Sequence, residues 1–118
     1  MPNEVRGKLA YKVRPLNGVW ATPPYLHNGS VPNIYLLLSP VGDRPKEFYL
    51  GHREYDPVNL GYKYEPLKNG FFFETRLRGN SNEGHEFNDK PKGTKGKVGK
   101  RTLLPDERRE IIEFLKTL

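Results

Sequence analysis

The sequence predicts a small, mainly irregular domain with short helices, and three observations lead to this prediction. Twelve glycines and eleven prolines among 118 residues favour turns and irregular backbone. Only 35% of the residues are hydrophobic, so the core should be thin. Seven Tyr, six Phe and one Trp can still bury a large area per residue. At this length the chain should form a single domain, residues 1–118, or a part of one.

The first third of the chain should be turn-rich and then helical. Residues 1–30 contain Pro15, Pro23 and Pro24, which forbid a long helix there. The following segment, VPNIYLLLSP, has Pro32 near a first helical position and apolar residues at helical spacing. We therefore expect a short helix near residues 32–39.

The middle of the chain has the composition of strands and loops. Short apolar runs at 48–50 and 71–77 are bounded by Gly, Pro and Asn, and they predict a small β-hairpin. The next segment, RGNSNEGHEFND at 78–89, is rich in Gly, Asn and Ser and should form a compact loop that contains His85.

The C-terminal segment has the clearest helical pattern, which predicts a helix over residues 105–117. Pro105 suits the first turn, and the acidic residues Asp106 and Glu107 follow where the helix dipole favours anions. One stripe of the helix is apolar and should pack against the aromatic segments; it consists of Ile111, Ile112, Leu115 and Leu118.

Positive charge is concentrated in one stretch. The net charge is +6, and residues 90–101, KPKGTKGKVGKR, contain basic residues and no acid. Without a periodic apolar face, this stretch should be a basic flexible linker or insertion with fast amide exchange. The alternative is a haem-free basic module that contacts nucleic acid or an acidic protein. No aromatic residue lies within the stretch to stack on bases, so the sequence favours the linker.

Several classes of function lack a sequence signal. The chain has no cysteine, which excludes disulfides, iron–sulfur ligation, thiol catalysis and a Cys-x-x-Cys-His haem attachment site within it. No zinc, calcium or phosphate-binding motif is present. The sequence also shows no signal peptide and no apolar run long enough for a membrane span. The candidate ligands are three histidines, each of which could equally be a surface residue: His27, His52 and His85.

The segment WATPPYLHNGSVPNIYLLL, from Trp20 to Leu38, resembles a segment of the bacterial di-haem cytochrome c peroxidases that reads approximately TAPYFHDGS and precedes a short helix. Further strings are similar to the rubber oxygenase branch of this group: FYLGHREYDPVNLGY, GNSNEGHEF and RREIIEFLKTL. The resemblance covers nearly the whole chain except the basic stretch. It implies the C-terminal, cytochrome c-like portion of a periplasmic or secreted di-haem c-type cytochrome.

The resemblance implies haem c as the cofactor, attached through cysteines outside this chain. The expected haem-contacting residues are Trp20, Pro24, Tyr25, His27, Gly29, Ser30 and His85. Rings at Trp20 and Tyr25 could wall a porphyrin, and the prolines and Gly29 could shape the loop. The alternative is that these residues simply form the hydrophobic core of a loop.

The resemblance also bears on the iron ligand. In the peroxidases a methionine ligates this haem, and the matching position here is Val41, which cannot ligate. We therefore expect His85 to be the distal metal ligand, with Asn80, Ser81 or Asn82 orienting its second ring nitrogen. His27 should shape the pocket without binding iron, and His52 should be a surface residue.

Bis-histidine ligation closes the iron to substrate, so the expected role is electron transfer. The oxidoreductase chemistry of the relatives takes place at another haem, and the chain alone should not be catalytic. Its expected partners are the remainder of the di-haem cytochrome, including its N-terminal domain, and a redox partner protein, with no membrane contact.

Overall fold

A computed structural model describes residues 15–88, 97–99 and 101–118. Within these residues two α-helices and six short strands occur, together with 3-10 turns at Val19–Ala21 and Val41–Asp43. The helices are α1, Ile34–Leu37, and α2, Pro105–Leu115. The strands are β1, Glu47–Leu50; β2, Tyr55–Asp56; β3, Gly61–Tyr62; β4, Phe71–Glu74; β5, Glu86–Phe87; and β6, Lys97–Gly99. The predicted class, mainly irregular with α and a small β element, is confirmed.

The first helix lies inside the predicted range of 32–39 but is shorter. Asn33 caps it, because its side chain accepts a hydrogen bond of 2.8 Å from the Leu36 backbone N–H. The cap places Pro32 before the helix and not in its first turn. Helical bonding ends at Leu38, two residues before Pro40, as expected of a residue that cannot continue a helix.

The second helix begins at Pro105 as predicted and ends at Leu115, two residues earlier than expected. Its first turn is closed by Glu107, whose carboxylate accepts a hydrogen bond of 2.9 Å from the Leu104 backbone N–H. The buried side of the helix carries Ile112, which has no exposed surface, and Leu115, which is 9% exposed.

The core joins α2 to α1 and to the segment that precedes α1. Its buried members are Tyr25, Val31, Ile34, Leu38, Leu60, Ile112 and Leu115. As predicted, α2 belongs to the same core as an aromatic residue, Tyr25. The Phe-rich strands β1 and β4 contribute no residue to this core. Phe48 and Phe73 stack on each other instead, with ring centroids 5.1 Å apart. The antiparallel register of their strands places these two residues directly opposite each other.

Strands β1 and β4 pair in antiparallel register, which confirms the predicted β element. They are not consecutive, because β2 and β3 form a second antiparallel pair between them. That pair was not predicted. It is held against α1, since the Ile34 backbone N–H donates to the Leu60 carbonyl at 3.2 Å.

The basic stretch at 90–101 lies mostly outside the described residues. Its described part includes β6, whose backbone pairs in parallel with β5. The predicted flexibility of the remainder stays a prediction, as does the structure of residues 1–14. In the described part of the chain, no helix is long and apolar enough to cross a membrane.

Candidate functional site

The segment with the specific sequence pattern folds into a tight turn, residues 23–31, that precedes α1. Tyr25 and Val31 pair across it, with the Tyr25 N–H donating to the Val31 carbonyl at 2.7 Å. Gly29 has a φ of +70°, and a Cβ atom there would lie 3.2 Å from the Cγ of Pro24. The backbone conformation and the close approach of the proline ring both favour glycine at this position. His27 lies at the exposed tip of this turn.

Tyr25 supports the turn from inside, contrary to the expectation that its ring walls a cofactor. The side chain is 7% exposed, and its hydroxyl donates to the Val19 carbonyl at 2.7 Å. Burial raises the pKa of Tyr25 well above the ordinary value, with a smaller contribution from Tyr55. An aromatic residue beside two prolines gives no sequence signal that separates a core ring from a ring at a binding surface.

Trp20 does offer an exposed ring. It is 39% exposed, and its indole N–H donates to the carbonyl of Leu118 at 3.1 Å. This bond ties the start of the turn-rich segment to the end of the chain. Of the two predicted ring walls, Trp20 is accordingly the one that presents a face to solvent.

The polar residues of the turn bind the loop that contains His85. The Asn28 amide donates to the carbonyls of Gly79 and Ser81, at 3.0 and 2.8 Å. Ser30, which is fully buried, donates from its hydroxyl to the same Ser81 carbonyl at 2.9 Å. The structure thus brings together the two segments that the sequence singled out separately, the turn at 23–31 and the loop at 79–85.

The loop meets the turn through apolar contact as well. A Cβ atom at Gly84 would lie 3.7 Å from a methyl carbon of Leu26, the residue before His27. Leu26 and His85 both have positive φ, at 67° and 54°. Because such φ values are uncommon for residues other than glycine, both backbone positions depend on the surrounding contacts.

His85 is exposed, and its predicted orienting partners are engaged elsewhere. The Asn80 amide donates to the Glu74 carbonyl at 3.1 Å, and the Asn82 amide donates to the Pro45 carbonyl at 3.0 Å. Ser81 accepts from the Glu83 N–H at 3.3 Å. None of the three bonds to the His85 ring, so this part of the prediction is corrected. The loop uses its polar side chains to fix its own backbone.

A residue that the sequence analysis missed, Arg44, holds the other side of the loop. It is 2% exposed, and its guanidinium donates to the carbonyls of Asn82, Gly84 and His85. A single arginine between an aspartate and a proline has no pattern that would reveal such a role, because its partners lie about forty residues away.

A groove of about 290 Å³ beside Pro24 is lined largely by rings. Its lining residues are Pro23, Pro24, Pro32, Tyr49, Leu50, Gly51, His52, Tyr62, Lys63 and Tyr64. His52, predicted to be a surface residue, is half-buried here, with its Nε2 atom 2.8 Å from the Glu65 carbonyl oxygen. Pro24 therefore contributes to this groove while its ring also packs near Gly29.

The described residues contain no group of three or more His, Asp or Glu side chains that could hold a metal ion by themselves. A haem iron needs far less from this chain, since the porphyrin supplies four ligands and a protein side chain only an axial one. The exposed imidazole of His85, on a loop anchored from two sides, carries a nitrogen atom of the type that binds iron. The chain has no cysteine, so its own residues could not attach haem c covalently.

Comparison with known proteins relates part of this chain to a class of cytochromes. Residues 10–49 match a family model described as RoxA-like, cytochrome c-like. The matched residues include the turn at 23–31 and α1, whereas His85 and α2 lie outside the match. The match supports a relation to RoxA-like, cytochrome c-like proteins and does not distinguish a di-haem peroxidase.

Two relatives from Sinorhizobium fredii (strain NBRC 101917 / NGR234) are similar over almost the whole chain. The uncharacterized protein y4iJ is 59% identical over 116 residues, which are 98% of this chain and 19% of the relative. The uncharacterized protein y4iM is 35% identical over 117 residues, 91% of this chain and 27% of the relative. The chain thus spans about a fifth and about a quarter of the length of these relatives.

Proposed function

We propose that this chain is a haem-contacting portion of a longer, periplasmic di-haem c-type cytochrome and that it serves electron transfer. The cytochrome c-like match over residues 10–49 supports the haem relation. The similarity of the whole chain to parts of much longer proteins fits a module that works together with further sequence. In this proposal the attachment cysteines belong to that further sequence.

The observation that carries the proposal is the proximity of positions 41 and 85. The backbone N–H of Val41 donates to the Glu86 carboxylate at 2.8 Å, and Glu86 follows His85 directly. The resemblance to the peroxidases implies a methionine ligand at position 41. His85 therefore arises from the same part of the fold in which the resemblance expects an axial ligand, and it supplies an imidazole where Val41 has no donor atom.

The chain's own residues would have distinct tasks in this function. His85 would bind the haem iron through one ring nitrogen. The turn at 23–31 would hold His27 beside the site, and Trp20 would offer its exposed ring as a wall. Asn28 and Ser30 would keep the two segments in register through their bonds to the loop. Tyr25 would act on this surface only through the fold.

Bound haem c supplies a one-electron couple whose reduction potential depends on its axial ligands, and two imidazoles lower that potential relative to His/Met. With His85 bound to the iron, a substrate would have no place to bind there. The chain would accordingly relay electrons between a redox partner and the catalytic haem of the parent cytochrome, without catalysis of its own.

The test uses the whole protein that contains this sequence, as the cell makes it. The protein should be recovered from the periplasm. It should retain haem after denaturation and extraction with acid and organic solvent, since haem c is covalently bound. The His85→Ala variant should lose a low-spin iron signal and gain a high-spin or water-bound one, with a higher reduction potential. Absence of covalent haem would overturn the haem proposal. An unchanged low-spin signal in His85→Ala would overturn the ligand assignment.

A further inference from the structure

Arg44 uses its entire hydrogen-bonding capacity on backbone carbonyls. Its Nε donates to Leu36 at 3.1 Å and one Nη to Leu37 at 2.9 Å. The same Nη donates to His85 at 3.1 Å, and the other donates to Gly84 at 2.7 Å and to Asn82. A guanidinium has five N–H donors in one plane, and five carbonyls receive them here.

The five carbonyls come from two separate parts of the chain. Leu36 and Leu37 lie at the end of α1, where helix carbonyls lack partners within the helix. The other three belong to the segment 82–85. Arg44 therefore joins the end of α1 to the residues that carry the His85 side chain.

The charge of Arg44 is buried, and it interacts electrostatically with Glu86, the one acid that is buried among the described residues. Glu86 is 6% exposed, and its carboxylate accepts from the Val41 N–H at 2.8 Å and from the Asn88 amide at 3.2 Å. Burial lowers the pKa of Arg44 to about 10, and the charge of Glu86 opposes that shift. The five carbonyl acceptors compensate for the loss of hydration that this burial brings.

The backbone of His85 has an unusual conformation that the hydrogen bonds from Arg44 stabilise. Its φ of 54° is uncommon for a side chain with a Cβ atom, and its own carbonyl is one of those that Arg44 binds. The imidazole is exposed while the backbone beneath it is fixed. None of the predicted neighbours, Asn80, Ser81 and Asn82, bonds to the ring, so the backbone conformation sets where the Cα–Cβ bond of His85 points.

We propose that Arg44 is the positioning residue for His85, which it holds at the backbone so that the Cα–Cβ bond keeps the imidazole within reach of the iron. This inference rests on the proposed function of His85. Lysine cannot replace Arg44 in this role, because its ammonium is a point charge with three donors and lacks the planar fork that reaches five carbonyls.

The test compares Arg44→Lys and Arg44→Gln in the haem-loaded whole protein, with Arg76→Gln as the control. Arg76 is an exposed arginine whose partners are the carboxylates of Glu47 and Glu74. We expect partial loss of the low-spin signal in Arg44→Lys and a larger loss in Arg44→Gln, with faster amide exchange at 82–86. Added imidazole should restore the low-spin signal, because it fills the position that His85 has left. Arg76→Gln should keep the wild-type spectrum.

The outcomes separate this inference from the function on which it rests. If His85→Ala changes the spectrum while a folded Arg44→Lys keeps the wild-type signal and reduction potential, the role of Arg44 is overturned and that of His85 stands. If His85→Ala leaves the spectrum unchanged, both assignments fail. Should Arg44→Gln not fold, Arg44→Lys decides the question, because it retains the positive charge and part of the bonding.

Discussion

Gly61 of β3 lies directly against Asn33, the residue that caps α1. The two pair as an isolated antiparallel bridge, and a Cβ atom at Gly61 would stand 2.6 Å from the Cβ of Asn33 and closer still to the Pro32 carbonyl oxygen. Two small structural elements, the β2–β3 pair and the start of α1, are thus joined at a point where no side chain fits.

Gly61→Ala should therefore destabilise the protein. The added methyl group meets backbone atoms, which cannot rotate away, and overpacking of this kind costs roughly 1 to 3 kcal/mol or more. The measurement is the free energy of unfolding in urea. Gly42→Ala is the matched control, because nothing lies within 4 Å of its Cβ position and its stability should change little. Equal unfolding free energies for both variants would contradict the close contact.

Leu115→Asp should unfold the domain, whereas the neighbouring Phe114→Asp should not. Leu115 is 9% exposed within the core, while Phe114 is 62% exposed on the other side of α2. Burial of an unpaired carboxylate costs several kcal/mol, which is comparable to the whole stability of a small domain. Circular dichroism during heating measures the loss. Wild-type unfolding in Leu115→Asp would show that α2 does not pack through this side.

The acid sensitivity of the fold should include a contribution from Glu107. Two N–H groups of Arg101 and the Leu104 backbone N–H bind its carboxylate, and they lower the pKa of Glu107 to about 2. A carboxylate with a lowered pKa in the folded state stabilises that state above the ordinary value of 4.5. This contribution is lost as the pH falls from 4.5 to about 2.

Glu107→Gln should accordingly be less stable than wild type at neutral pH, and the difference should shrink as the pH falls through that window. Urea unfolding at a series of pH values measures it. Arg101→Gln removes the two guanidinium donors, so the free energy of unfolding should change less with pH in the same window. Parallel curves for wild type and Glu107→Gln would mean that this carboxylate is not stabilised in the folded state.

The helices could be predicted because their signals are local. Pro105 and the acids that follow it mark the start of α2, and the apolar spacing marks its buried side. The capping residue of α1, Asn33, is a local signal too, but the preference of proline for a first helical turn places the predicted start earlier, at Pro32. The β2–β3 pair has only two residues in each strand, too few for an alternating pattern to appear.

The site was predicted less completely, because its decisive contacts join distant segments. The turn at 23–31 and the loop at 79–85 were both recognised, but nothing in either segment shows that Asn28 binds the carbonyl of Ser81. The burial of Tyr25 and the role of Arg44 depend on the same long-range packing. Composition and spacing cannot specify which carbonyls a buried guanidinium will meet.

His27→Ala in the haem-loaded whole protein should shift the absorption spectrum only modestly and keep the iron low-spin. His27 lies at the tip of the turn, next to Leu26, which contacts the position of Gly84 in the His85 loop. Its removal changes the surroundings of the site but leaves Asn28 and Ser30 to hold the loop. Absorption and electron paramagnetic resonance spectra measure the ligation state.

The matched control for this prediction is His52→Ala. This variant removes the histidine that lines the groove, and it should leave the spectrum unchanged. Loss of the low-spin signal in His27→Ala, together with its retention in His85→Ala, would reverse the assignment of the two histidines. If neither His27→Ala nor His85→Ala altered the spectrum, a tyrosine would be the next ligand of this chain to test. Tyr62 would then be tested before Tyr25, because Tyr62 is 42% exposed whereas the Tyr25 hydroxyl is bound to the Val19 carbonyl inside the fold.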